Sequence, residues 1–280
     1  MKRNALISPV VKWVGGKRQL LPAINKQLPK KYNYYCEPFL GGGAVLFNIQ
    51  PKKAIVNDLN SELMNVYEVI KFNVDELILD LNKHENESDY FYKMRELDRD
   101  KKRYNELSNV EKASRILYLN KTCFNGLFRV NNAGEFNTPF GRYKNPNIIN
   151  EETLRAVNAY FNNVEIIFYN EDYQIVRESL KKNSFVYLDP PYDPVSDTSS
   201  FTGYNKGGFN REEQIRLKNF CDELNDNGIK FLLSNSATDF IKKLYKEDYD
   251  YQIVKAKRSI NSVSSKRGQI DEILVKNYEN

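Results

Sequence analysis

Residues 184–192 read SFVYLDPPY, and the last four carry groups that the end of a strand does not require. Phe185 to Leu188 reads as a buried strand. Pro190 and Pro191 cannot donate to a sheet ladder, so they end that strand and start a loop. Punctuation accounts for the prolines but leaves the carboxylate of Asp189 and the ring of Tyr192 without a reason. A second stretch, EPFLGGGAVLF at 37–47, turns from a strand through Phe39, Gly41 and Gly43 into a helix. Glycine lets a backbone approach a ligand closely, and a helix start offers free N–H groups; a tight strand-to-helix turn alone would ask for the same residues. The next strand, Ala54-Ile55-Val56, runs into Asn57-Asp58, and an acid at the end of the second strand is where nucleoside-binding α/β folds grip ribose hydroxyls. No GxxxxGK[ST] is present, which disfavours a nucleoside triphosphate. In KWVGGKRQL at 12–20, Trp13 and Lys17 flank a glycine pair. A cation and an aromatic beside a turn suit a small molecule with a carboxylate and a flat ring, although Trp13 could equally fill a core edge.

The totals narrow the chemistry. A single histidine, His84, leaves Ser-His-Asp and Cys-His catalysis without a base and most catalytic zinc sites without ligands, so no metal is expected. His84 lies in the polar stretch NKHENESD and reads as an inert, solvated helix end. Three widely spaced cysteines (Cys36, Cys123, Cys221) without CxxC argue against a disulfide framework. No apolar run is long enough to span a bilayer and no signal-peptide core opens the chain, so the expectation is a cytoplasmic protein without a membrane partner. A net charge of +5 favours a polyanionic partner only weakly.

These residues must be positioned by an α/β frame. Candidate strands at 34–39, 53–57, 164–168, 184–188 and 229–234 alternate with helical-period stretches at 17–28, 44–49, 61–72, 151–161, 173–181 and 210–227, which argues for a mostly parallel sheet covered on both faces. The last candidates, 249–256 and 271–278, follow one another without a helix and should pair antiparallel. The alternation breaks from about 61 to 121, a charged helical block. It is followed by CFNGLFRVNNAGEFNTPFGRYKNP, in which Asn132-Ala133-Gly134 reads as the turn of a hairpin. The division expected is therefore residues 1–60 and 150–280 as the catalytic domain, with 61–149 inserted as a recognition domain. Two stretches read as mobile: 193–209, rich in Ser, Thr and Gly, which follows the catalytic turn as a substrate-gated loop would, and 255–267, whose Lys255, Lys257, Arg258, Lys266 and Arg267 fit a solvated hairpin tip or, the reading favoured, phosphate contact.

The order KWxGGK, EPFxGxG, a strand ending in Asp, then DPPY resembles the Dam-type DNA adenine-N6 methyltransferases. The likeness continues at FNGLFRVN, GEFNTPFGRYKNP, SFTGY (200–204) and LSNS (233–236), and covers nearly the whole chain. Val14 and Thr138 depart from residues common in that family; Thr138 falls in the recognition hairpin, where it bears on fine specificity.

The resemblance implies a Rossmann-like, mostly parallel seven-stranded methyltransferase sheet with an inserted helical-plus-hairpin target-recognition domain. It implies S-adenosylmethionine as cofactor, held by Trp13, Lys17, Phe39, Gly41, Gly43, Asp58, Asp172 and Asp189. Catalysis falls to Asp189, Pro190, Pro191 and Tyr192. Asp189 and the Pro190 carbonyl would accept the N6 hydrogens, and Tyr192 would stack the flipped base. Double-stranded DNA is the partner implied, with GATC as target. It would be contacted by Lys12, Phe124, Asn125, Leu127, Arg129, Pro139 and Tyr143, of which Arg129 suits a guanine edge, and on the reading above by Lys257 and Arg258. Taken singly, each hairpin residue also fits ordinary packing. Alternatives stay open: methylation of cytosine N4, RNA adenine or protein glutamine, or a DNA-binding protein on a decayed enzyme scaffold. Asp189 weighs against glutamine, the hairpin lobe favours duplex DNA over RNA, and the intact DPPY and glycine turn weigh against decay. No obligate protein partner is evident, and a role beside a restriction enzyme or alone, in a cell or phage, is equally compatible.

Overall fold

The computed structural model describes residues 3–195, 208–257 and 269–279. Seven strands are present among the described residues: β1 Tyr35–Glu37, β2 Lys53–Asn57, β3 Glu165–Tyr169, β4 Phe185–Leu188, β5 Lys230–Ser236, β6 Asp250–Lys257 and β7 Gln269–Lys276. They form one sheet in the order β3-β2-β1-β4-β5-β7-β6. β1 pairs parallel with β2 and β4, and β4 parallel with β5. β7 runs antiparallel to both β5 and β6. All four residues of β4 and the last six of β5 are buried, as suits strands covered on both faces. The last two strands pair antiparallel, as expected from the sequence. That β7 slots between β5 and β6 is not visible in the sequence.

The chain divides into two compact units. One comprises Lys17–Leu40, Lys53–Asn57 and Asp172–Asn280 and holds every strand except β3. Its helices are α1 (Leu21–Gln27), α9 (Arg211–Asp226), capped by Asn210, and α10 (Asp239–Tyr245), capped by Thr238. Within it, the stretch at 17–28 is not one helix. Lys17–Gln19 is a 3-10 turn, and α1 starts only at Leu21, where Pro22 sits in the first turn and needs no N–H partner. Likewise 173–181 forms a 3-10 helix over Tyr173–Glu178.

The other unit comprises Met1–Gly16, Gly41–Lys52 and Asp58–Glu171. It holds α2 (Ala44–Ile49), α3 (Ser61–Phe72), α4 (Val74–Leu81), α5 (Ser88–Glu96), α6 (Lys101–Glu106), α7 (Asn109–Thr122) and α8 (Glu151–Asn163). Asn60 caps α3 and a Ser108–Glu111 capping box starts α7. Buried Leu63, Tyr67 and Ile70 of α3, with Leu77 and Leu81 of α4 and Ile116 to Leu119 of α7, make the core of the helical block. Arg115 of α7, only 1% exposed, is neutralised there by Asp98 at 2.9 Å.

His84 corrects one expectation. It is not solvated: its ring nitrogens meet the Tyr90 hydroxyl and Ser114 Oγ, each at 2.9 Å, and it stacks on Tyr118. Burial pushes its pKa down to about 4, so it stays neutral at physiological pH. The three cysteines are buried and free. No helix among the described residues is long and apolar enough to cross a membrane.

Candidate active site

β4 delivers Asp189 to the C-terminal edge of the sheet, next to β1, which ends at Glu37 just before Phe39. The strand order reverses direction between these two neighbours, and ligands of open α/β sheets settle at such a switch point. Asp189 is held from two sides. Lys17 Nζ lies 2.8 Å from its Oδ1, and the Ser234 hydroxyl of β5 donates to the same oxygen at 3.0 Å. Burial raises the Asp189 pKa, while the Lys17 charge and these hydrogen bonds pull it back down. The Lys17 ammonium also lies 4.6 Å from the centre of the Tyr192 ring. Lys17 thus belongs to the DPPY cluster in this structure.

The loop leaving Asp189 is tied down by side chains that sequence reasoning did not assign. Pro191 O accepts from Gln214 Nε2 at 2.9 Å, and Gln214 Oε1 accepts from Asn235 Nδ2 at 3.0 Å. Asn235 Oδ1 in turn accepts the Asp193 N–H. Asp193, 2% exposed, accepts from the Thr238 hydroxyl and from Arg211. The Tyr192 hydroxyl donates to Glu272 Oε2 on β7 at 2.7 Å. The one available signal was LSNS, whose Ser234 and Asn235 both face this loop; Gln214 and Glu272 had none beyond being polar positions in otherwise apolar patterns.

In the same unit Phe39 is half-buried against Tyr173 and Phe209. Asp172 is exposed and forked by Arg216, at 2.6 and 3.1 Å, while its Oδ1 caps the Tyr173 turn through the Gln174 N–H. Most of 193–209, with SFTGY, and the basic tip with Arg258 lie outside the described residues. The backbone of Lys257 ends β6 opposite Gln269.

The other unit carries the glycine turn. Gly41 and Gly43 have φ of 49° and 65°, the left-handed region that favours glycine. A methyl group on Gly41 would stand 3.0 Å from Trp13 Cδ1, and one on Gly43 2.8 Å from the Phe47 ring. Asp58 Oδ2 accepts the Gly41 N–H at 2.8 Å, its Oδ1 accepts the Asn60 N–H, and the Tyr67 hydroxyl donates to Gly41 O. Burial raises the Asp58 pKa against those two backbone donors. Trp13 is half-buried and stacks on Phe128 at 4.7 Å.

This unit also gathers the hairpin residues. The turn falls at Asn131 to Gly134, but the arms make only isolated bridges, Val130 to Phe136 and Cys123 to Phe140, so the expected hairpin is a loop with two pinned points. Asn120, 1% exposed, accepts the Lys12 N–H and donates to the carbonyls of Lys12 and Gly126. It thereby joins Lys12 to the Phe124–Gly126 turn, a tie no sequence signal announced. Phe124 is 55% exposed, although its N–H is bonded to Pro139 O. The Asn125 N–H donates to the Tyr143 hydroxyl. Arg129 is exposed and its guanidinium is set by Asn137, through Nε to Oδ1 at 2.6 Å and Nη2 to the carbonyl. Leu127 is half-buried, and its carbonyl accepts from Thr138, whose buried hydroxyl points inward.

With this geometry in view, comparison with known proteins is specific. A family model described as D12 class N6 adenine-specific DNA methyltransferase matches residues 13–260. The type II methyltransferase M1.LlaDCHI of Lactococcus lactis subsp. cremoris is 44% identical over 281 residues, covering 100% of this chain and 98% of that protein. The type II methyltransferase M.MjaIII of Methanocaldococcus jannaschii is 44% identical over 292 residues, covering 97% and 99%. The DNA adenine methylase of Escherichia coli (strain K12) is 35% identical over 283 residues, covering 98% and 95%. The chain belongs to the D12 class of N6 adenine-specific DNA methyltransferases, and its reaction is methylation of adenine N6 in DNA.

Proposed function

We propose that the chain transfers the methyl group of S-adenosylmethionine to an adenine flipped out of double-stranded DNA, at GATC. The observation that carries this reading is the pairing, at the end of β4, of a nearly buried carboxylate with an aromatic ring: Asp189 and Tyr192.

The residues fit the cofactor. Each Asp58 oxygen accepts one backbone N–H, which leaves lone pairs for a ribose hydroxyl. Phe39 offers a half-buried face, and Gly41 and Gly43 keep the turn free of side chains. Trp13, Lys17 and Asp172 complete the set by family resemblance; Asp172 must share its carboxylate with Arg216 to serve. When bound, the cofactor supplies an electrophilic methyl on a sulfonium.

The chain's own contribution is orientation and charge. Adenine N6 is a poor nucleophile because its lone pair is delocalised into the ring. Asp189 and the Pro190 carbonyl accept its two hydrogens and draw it toward a tetrahedral geometry, while Pro191 stiffens the loop. These acceptors are aligned before the base arrives, so the stabilisation needs no reorganisation during the reaction. Tyr192 stacks the base, which cannot react inside the helix. The extra proton on N6 after transfer leaves through Asp189. On the DNA side, the 61–149 segment acts as the recognition domain. Lys12, Phe124, Asn125, Leu127, Arg129, Pro139 and Tyr143 contact the site, with Arg129 on a guanine edge, and Lys257 and Arg258 contact phosphates.

The test is expression in a methylation-deficient host, with modified bases mapped by sequencing. N6-methyladenine at GATC is the expected result. A different adenine-containing site would overturn the GATC assignment, and modification confined to cytosine or RNA would overturn the reading of the site itself.

A further inference from the structure

Tyr192 sits on a loop, whereas the partner of its hydroxyl sits on the most constrained kind of backbone in the molecule. β7 is paired on both sides, and Glu272 stands opposite Ser236 of β5 and Val254 of β6. From there its Oε2 accepts the Tyr192 hydroxyl at 2.7 Å. Glu272 is half-buried, and among the described residues the charges of Lys17 and Asp189 act on it, so it is part of the same electrostatic cluster. A tyrosine ring on an irregular loop has two side-chain torsions to lose, and a charge-assisted hydrogen bond at the far end of the ring fixes where the hydroxyl lies and with it the direction of the ring axis.

We propose that Glu272 is the positioning residue of Tyr192. Its carboxylate anchors the hydroxyl end of the ring and so holds the ring axis where the target adenine can stack beside Asp189, and it touches neither the base nor the methyl donor. This rests on the stacking role proposed for Tyr192. Glu272 therefore acts on turnover through the Tyr192 hydroxyl more than through its charge on Lys17 and Asp189, and most of its effect must vanish when the tyrosine hydroxyl is absent.

The experiment is a double-mutant cycle on the full chain, with steady-state methylation of a duplex containing the mapped target and a parallel duplex carrying 2-aminopurine at the target adenine. Glu272→Ala is expected to lower kcat about tenfold, as loss of one hydrogen bond to a charged group would, with KM for DNA nearly unchanged. The 2-aminopurine emission should show a flipped base that is less ordered than in the unmutated enzyme. Glu272→Gln keeps an acceptor oxygen and should restore most of the rate. Adding Glu272→Ala to Tyr192→Phe should cause little further loss. Unchanged kcat in Glu272→Ala, or an equal loss in the Tyr192→Phe background, would overturn the proposal. If Glu272→Ala does not fold, Tyr192→Phe decides alone, since a wild-type kcat there means the hydroxyl tie does nothing. Tyr192→Ala separates the two levels: full activity in that variant removes the stacking role, whereas impaired Tyr192→Ala beside unimpaired Glu272→Ala removes only the positioning.

Discussion

The Lys17 ammonium lies 2.8 Å from Asp189 Oδ1 and 4.6 Å from the centre of the Tyr192 ring. Those are the two groups proposed to receive the adenine, its amine on the carboxylate and its ring on the tyrosine. Lys17 and the base thus share one carboxylate, with Lys17 on its Oδ1.

One consequence is a pH effect with a definite sign. Burial raises the Asp189 pKa and Lys17 opposes that rise. Removing the cation must therefore move the carboxylate's titration to higher pH, and the accepting, ionised form is lost as pH falls through that higher value. In Lys17→Met, which keeps the apolar stem, the acid limb of kcat/KM should move up, because that profile reports the free enzyme. The ratio of wild-type to variant kcat/KM should grow as pH is lowered. A ratio that stays flat across the acid limb would mean Lys17 does not control Asp189.

Asp189→Ala should abolish turnover in a folded protein, by on the order of 10²-fold or more in kcat, as expected for a preorganised group aligned on the reacting atom. Near-normal turnover of the purified variant would remove Asp189 from the mechanism. Ser234, which also donates to Asp189, should matter less, since Lys17 remains on the same oxygen.

The fold was legible where the pattern is local. Strand runs and the helices between them appear in the sequence because burial on both faces leaves continuous apolar stretches such as Phe185 to Leu188. DPPY and the glycine turn stood out because proline and glycine have few uses. What could not be read is what distance in the chain hides. Tyr192 and Glu272 are 80 residues apart, and β7 had to be placed between β5 and β6 before they could meet. Asn120 looks like any polar residue of a helix until its amide is seen holding Lys12, 108 residues away. His84 misled because its neighbours in sequence are charged, while its neighbours in space are Tyr90, Tyr118 and Ser114.

Asp98 shows how the helical block supports the loop at 124–143. Its Oδ2 takes both the Arg115 guanidinium and the Phe136 N–H, at 2.9 and 2.8 Å. Arg115 also donates to the carbonyls of Met94 and Arg95 and lies over the Tyr104 ring at 5.1 Å. Asp98→Ala would remove the carboxylate paired directly with this buried cation, which costs about 3–5 kcal/mol. Urea denaturation should show that loss. A change below about 1 kcal/mol would mean that water or a rearranged carboxylate replaces Asp98.

Phe136 leads directly to Asn137, which orients Arg129. The last expectation is that this oriented arginine and the basic tip fail differently when mutated. A fork on a guanine edge gives roughly 1–3 kcal/mol of discrimination, whereas a phosphate contact gives affinity without sequence information. Arg129→Ala should therefore raise the relative rate on duplexes altered at one guanine. Asn137→Ala, which frees the guanidinium without removing it, should do the same more weakly. Lys257→Ala should weaken binding to all sequences alike and reduce the salt dependence, by a slope of about one for each phosphate no longer neutralised. The measurement is a panel of duplexes with single base-pair changes, assayed at several salt concentrations. Should Arg129→Ala slow every duplex in equal proportion, Arg129 is a backbone anchor, and sequence reading must come from other residues of the loop that Asp98 and Asn120 hold in place.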